Sequence, residues 1–102
     1  MAPAAILFQR LARREYDSAI RWYARRSVQA ARRFENEVDR ALQLIAASPN
    51  GWPVFQGSDR FFRLRRYSYV LYYRMVDPTC VLILAVAHTS RRPGYWRRRT
   101  WP

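Results

Sequence analysis

The chain has no lysine: all 19 of its cationic side chains are arginine, set against seven acids for a formal net charge of +12. Histidine and cysteine each occur once, as His88 and Cys80, and glycine three times. Each scarcity excludes something. Cys80 has no partner for an intrachain disulfide and sits in an apolar stretch, where a thiol packs as a small hydrophobe; this fits a reducing compartment. One histidine and one cysteine, with no carboxylate pair beside them, make no metal set. Gly51, Gly57 and Gly94 are too scattered for a phosphate-cradling loop, so neither metal nor cofactor is expected. No apolar run reaches the roughly 18 residues that cross a bilayer. Met1 to Phe8 lacks the positive segment that precedes a secretory core. A cytoplasmic location and no membrane partner are the expectation.

What is present is a core. Half of the 102 residues are apolar and 16% are aromatic, so the charge does not make this a disordered basic tail, and the length suits one domain spanning 1–102. Arginine is the side chain best suited to bidentate contacts with phosphate or carboxylate and to stacking on flat rings. Residues 59–102 hold ten arginines against Asp59 and Asp77, a net +8, and residues 1–58 a net +4. The expected partner is an anion, met mainly by the C-terminal half.

Apolar periodicity places the elements. Ala4 to Gln9 reads as an opening or edge strand. Between Leu11 and Arg26, Ala12, Tyr16, Ala19, Ile20, Tyr23 and Ala24 recur at helical spacing, with arginines on the other side. Ser27 caps a second helix whose stripe is Ala31, Phe34, Val38, Ala41, Leu42 and Ile45, stopped by Pro49 and Gly51. Residues 48–58 read as the one long loop. The period then becomes two: strands are expected at 60–66, 69–76 and 79–87, with turns at Tyr67-Ser68 and Asp77-Pro78. Val81 to Val86 is apolar enough for a central strand covered on both faces. The expected fold is α+β, a helical hairpin on a small antiparallel sheet in the order β-α-α-β-β-β. Residues 97–102 are expected to be a short edge strand or a frayed tail. Nothing reads as a helix-turn-helix.

Three segments carry a resemblance: Arg63-Leu64-Arg65, Tyr72-Tyr73, and the run from Ala85 to Trp96 with its His88, Arg91, Pro93, Tyr95 and Trp96. Together with the helical hairpin they resemble the RelE/ParE toxin superfamily of type II toxin–antitoxin systems, including the plasmid stabilisation proteins, over residues 4–99. The resemblance implies a bacterial toxin neutralised by an acidic cognate antitoxin, in a toxin–antitoxin hetero-oligomer. Its target would be DNA gyrase or, alternatively, messenger RNA in the ribosome.

For the ribonuclease alternative, cleavage without a metal needs a base for the 2′-hydroxyl, cations at the phosphoryl oxygens and a donor for the leaving oxygen. Imidazole is the side chain whose ordinary titration lies nearest neutrality, which makes His88 the candidate base. Arg65 and Arg91 would clamp phosphate, and Tyr95 would stack or carry a proton. The resemblance also implies an arginine near the start of the middle meander strand in the nuclease members. Val70 stands there, unless Arg66 or Arg74 serves from a displaced position, and this departure favours gyrase. The candidate surface for target or antitoxin comprises Arg63, Arg65, Arg66, Arg74, Arg91, Arg92, Tyr95, Trp96, Arg97, Arg98 and Arg99. Simpler roles stand beside these: a structural histidine at a strand end, Tyr95 and Trp96 capping the core, a solvated arginine face, and an inactive basic interaction domain.

Overall fold

A computed structural model describes residues 2–101. The elements run β1 (Ala5–Phe8), α1 (Arg10–Ala24), α2 (Val28–Ala47), β2 (Val54–Gln56), β3 (Asp59–Arg63), β4 (Tyr69–Asp77) and β5 (Cys80–His88). The fold is α+β, as expected. Gln9 starts α1: its side-chain oxygen accepts from the Leu11 and Ala12 N–H groups at 2.6 and 3.2 Å, satisfying two donors that the helix cannot. Ser27 caps α2 by accepting from Ala30 N–H at 2.9 Å. Only two residues separate the expected end of the first helix from the observed one, because Arg25 and Arg26 already turn toward Ser27.

The five strands lie in the order β1-β5-β4-β3-β2, which corrects the expected sheet in three respects. β1 pairs parallel with β5, so the sheet is mixed rather than wholly antiparallel. The long loop contains a strand, β2, which pairs with β3 at the far edge and whose three residues are too few to show a period. β3 stops at Arg63 instead of continuing to residue 66: Arg66 takes a left-handed φ of 63° in the turn. β5 is interior, flanked by β1 and β4, and its residues from Cys80 to Ala87 are all buried.

Burial forms two layers. The helical hairpin covers one face of the sheet with Ala12, Tyr16, Phe34, Val38, Ala41 and Ile45 on Leu71, Tyr73, Val81, Ile83 and Val86. On the other face Leu82, Leu84, Ala85 and Ala87 pack against Trp96, with Phe55, Tyr72 and Tyr95 around them. Trp96 is completely buried. The segment after β5 is therefore neither an edge strand nor a frayed tail; through residue 99 it is a series of turns docked on the sheet, and Pro102 lies outside the described residues.

A β-bulge in β5 decides which way its end faces. The register passes from Tyr73↔Ile83 to Tyr72↔Ala85, leaving Leu84 without an opposite residue. Leu84 and Ala85 consequently both pack on the Trp96 side, and the alternation resumes with Val86 toward the helices. One extra residue inverts the parity, and His88 follows Val86 instead of Ala87.

Candidate functional site

His88 ends β5 opposite Tyr69 of β4, whose ring meets the imidazole edge-on with centroids 5.2 Å apart. The imidazole is exposed, and its Nδ1 accepts the Ser90 N–H at 3.1 Å and lies 2.8 Å from the Ser90 hydroxyl oxygen. In the neutral tautomer that accepts this N–H the proton is on Nε2 and the Nδ1 lone pair faces Ser90. The turn that follows carries Arg91, whose guanidinium lies 3.9 Å from the centre of the Tyr95 ring. His88, Arg91 and Tyr95 thus stand together between two cavities of about 620 and 220 Å3 that all three line.

Tyr95 is held from below by a residue that the sequence did not single out. Glu15 of α1 accepts the Tyr95 hydroxyl on Oε2 and the Val86 N–H on Oε1 at 3.0 Å. The Arg99 guanidinium forks onto the same carboxylate, at 2.8 Å to Oε1 and 2.9 Å to Oε2, and donates also to the Leu84 carbonyl at 3.0 Å. β1 pairs with β5 only as far as Ile83, so the edge at Leu84 and Val86 has no neighbouring strand. The ion pair occupies that place and satisfies its backbone groups. Burial, then the bond to Glu15, push the Tyr95 phenol well above its usual range, so it gives up its proton reluctantly. The available signal was that Glu15 borders the apolar stripe of α1, among arginines.

Other expected site residues are placed differently. Arg65 and Arg66 are exposed in the turn after β3, and neither lines a cavity with His88. The Arg65 N–H is bonded to Glu37 Oε2 at 2.8 Å, tying that turn to α2. Arg63 is exposed, lines the smaller cavity and pairs with Val70, which is buried between it and Ala87. Arg74 forms a fork with the buried Asp59 at 2.7 and 3.1 Å and is absent from both linings. Neither displaced candidate supplies a cation beside His88. Trp96 and Arg99 serve the core, whereas Arg92, Arg97 and Arg98 are exposed. No three metal-ligating side chains cluster among the described residues.

The family model for the ParE toxin of type II toxin–antitoxin systems, parDE, matches residues 6–93, nearly the whole of this architecture. The chain belongs to the ParE toxin family. It is the toxin component of a toxin–antitoxin system, and its partner is a cognate antitoxin. Among solved structures it is similar to a chain of the chromosomal ParDE toxin–antitoxin system from P. aeruginosa, with a TM-score of 0.71 at 16% identity, covering 83% of this chain and 95% of that one. At that identity the likeness concerns the fold. No curated protein sequence gives a significant match. The ParE model ends at Pro93, so Tyr95, Trp96 and Arg99, which close the second face of this toxin, lie beyond it.

Proposed function

We propose that this ParE-family toxin inhibits DNA gyrase in the cytoplasm without cutting RNA, and that Arg91, Arg92, Arg97 and Arg98 form its contact surface. The observation that carries the reading is the environment of His88: its Nδ1 is engaged by Ser90 rather than directed at an open position for a 2′-hydroxyl. The remaining parts of a nuclease are no better placed. Tyr95 donates its hydroxyl to Glu15, Arg65 lines neither cavity, and Val70 occupies the position where a second cation would stand. The four exposed guanidiniums need no such convergence to bind an acidic protein surface.

Purified toxin added to a gyrase supercoiling reaction should inhibit it, and primer extension on messenger RNA from induced cells should show no new ends. His88→Ala should leave inhibition intact. Unchanged supercoiling together with cleavage inside translated codons would reverse the assignment and make His88, Arg65, Arg91 and Tyr95 a catalytic set. Absence of growth arrest on induction would instead identify an inactive interaction domain.

A further inference from the structure

The larger cavity opens between the last turns of α1 and the His88 end of β4 and β5, and much of its lining is unrelated to the surface assigned to gyrase. Arg21 of α1 and Arg25, the residue that caps its C-terminus, line it, and Arg91 lines it from the turn after β5. Among the described residues none of these three guanidiniums has a carboxylate partner. Glu15 is the one acid in the lining, and both its oxygens are engaged by Tyr95, Val86 and Arg99. The cavity is thus an uncompensated positive site.

Its second character is aromatic. Trp22 is 46% exposed and lines the cavity with the Arg26 guanidinium 4.1 Å from its ring centre. Arg26 and the edge-on Tyr23 ring, 4.9 Å away between centroids, cover part of the indole, and the exposed remainder is available for stacking. Tyr23, Tyr69 and Tyr95 complete the aromatic lining, and the hydroxyls of Ser18 and Ser68 are further hydrogen-bonding groups. The aliphatic members, Ala19 and Val86, are only 3% and 2% exposed, so no apolar strip is available for the face of an amphipathic helix. Guanidiniums for phosphates and flat rings for bases are the combination that holds a single strand without reading its sequence. A volume of about 620 Å3 admits roughly one or two nucleotides, on the scale of an ordinary ligand pocket, and offers no element to enter a duplex groove.

We propose that the groove formed by Arg21, Trp22, Arg25, His88 and Arg91 binds single-stranded DNA, with bases stacked at Trp22 and phosphates on the arginines. The choice of DNA over RNA rests on the gyrase reading, since the substrate of gyrase is DNA. The toxin would then engage the enzyme and DNA together.

The test is fluorescence anisotropy of a labelled oligodeoxythymidylate titrated with the full-length toxin. Trp22→Ala and the double variant R21S/R25S are compared with R32S/R33S, which removes the same charge from exposed positions on α2 outside the cavity. Circular dichroism checks that each is folded. Salt-dependent binding is expected, weakened about tenfold or more by W22A and by R21S/R25S and much less by R32S/R33S. Equal losses in the two double variants would reduce the effect to general charge attraction and overturn the proposal, as would no binding at all. Tighter binding of an oligouridylate would overturn the choice of DNA. Competition by an acidic peptide that itself depends on Trp22 would assign the groove to protein instead. A parallel measurement of toxin binding to gyrase without DNA separates the two readings: gyrase binding with no oligonucleotide binding removes this proposal alone. Oligonucleotide binding without gyrase binding or inhibition removes the gyrase reading and keeps the groove.

Discussion

Glu15 and Arg99, 84 residues apart, form a bidentate ion pair at 2.8 and 2.9 Å on the stretch of β5 that lies beyond its pairing with β1. The pair does the work of a strand: its carboxylate accepts the Val86 N–H and its guanidinium donates to the Leu84 carbonyl. It also links the first helix to the C-terminal turns through the Tyr95 hydroxyl. Both side chains are largely buried, Glu15 at 18% and Arg99 at 13% exposure, which reduces the solvent screening that weakens surface pairs.

Breaking this pair should therefore be costly. Glu15→Gln or Arg99→Ala leaves a buried partner uncompensated, and either should lower stability by about 2–4 kcal/mol in urea denaturation. Arg13→Ala, which removes the exposed Arg13–Asp17 pair at 3.3 Å, should change stability by about 0–1 kcal/mol. Similar small losses for all three variants would show that the clasp contributes little.

The C-terminal turns should behave as part of the core. Deleting residues 94–102 removes the fully buried Trp96 and the Arg99 clasp, so the truncated chain should unfold or melt far below the full chain. Trp96→Ala alone should cost about 3–5 kcal/mol. Arg97→Glu with Arg98→Glu, at exposed positions, should preserve the melting temperature while weakening gyrase inhibition. A truncated protein with a native melt would refute the structural role of this segment.

Alkaline pH should destabilise the toxin through its buried phenols. Burial pushes Tyr73 from 10.0 up to about 12, and burial together with the charges of Asp39 and Glu35 does the same to Tyr16. An unfolded chain ionises these groups first, so their contribution is complete below pH 10 and is lost as pH rises through 10 toward 12. Tyr73→Phe removes the hydroxyl bonded to the Pro49 carbonyl at 2.7 Å, costing about 1 kcal/mol near neutrality, and should flatten the alkaline fall. At the acid end Glu37, lowered chiefly by its bond to Arg40, contributes stability that disappears as pH falls below 4.5. Equilibrium unfolding across the pH range, with tyrosinate absorbance followed in parallel, measures both limbs; stability unchanged above pH 10 would contradict the tyrosine argument.

The cognate antitoxin should copurify with the toxin when the neighbouring short reading frame is co-expressed, and it should restore growth. Arg63, at the end of β3, and Arg65, in the turn after it, are both exposed. Charge reversal at both should weaken the complex and raise its sensitivity to salt, as calorimetry at two ionic strengths would measure. An affinity insensitive to both changes would place the antitoxin elsewhere.

By itself the sequence determined the class of fold, the helical hairpin and the three-strand meander, because those depend on local period. The α2 stripe is long and capped, and it lies where periodicity puts it, over Val28–Ala47. It also determined the basic character of the chain and, through the residues from Ala85 to Trp96, the toxin family. Tertiary structure decided the rest. Whether β1 runs parallel to β5 depends on how the chain returns across the hairpin, which no local pattern records. The bulge at Leu84 is invisible in a run that is apolar on both faces, yet it sets the side of the sheet on which His88 emerges. Arginines also look alike in a sequence. A carboxylate at Asp59 or Glu15, brought near only by folding, turns Arg74 and Arg99 into internal struts, while Arg21, Arg25 and Arg91 have no carboxylate partner among the described residues.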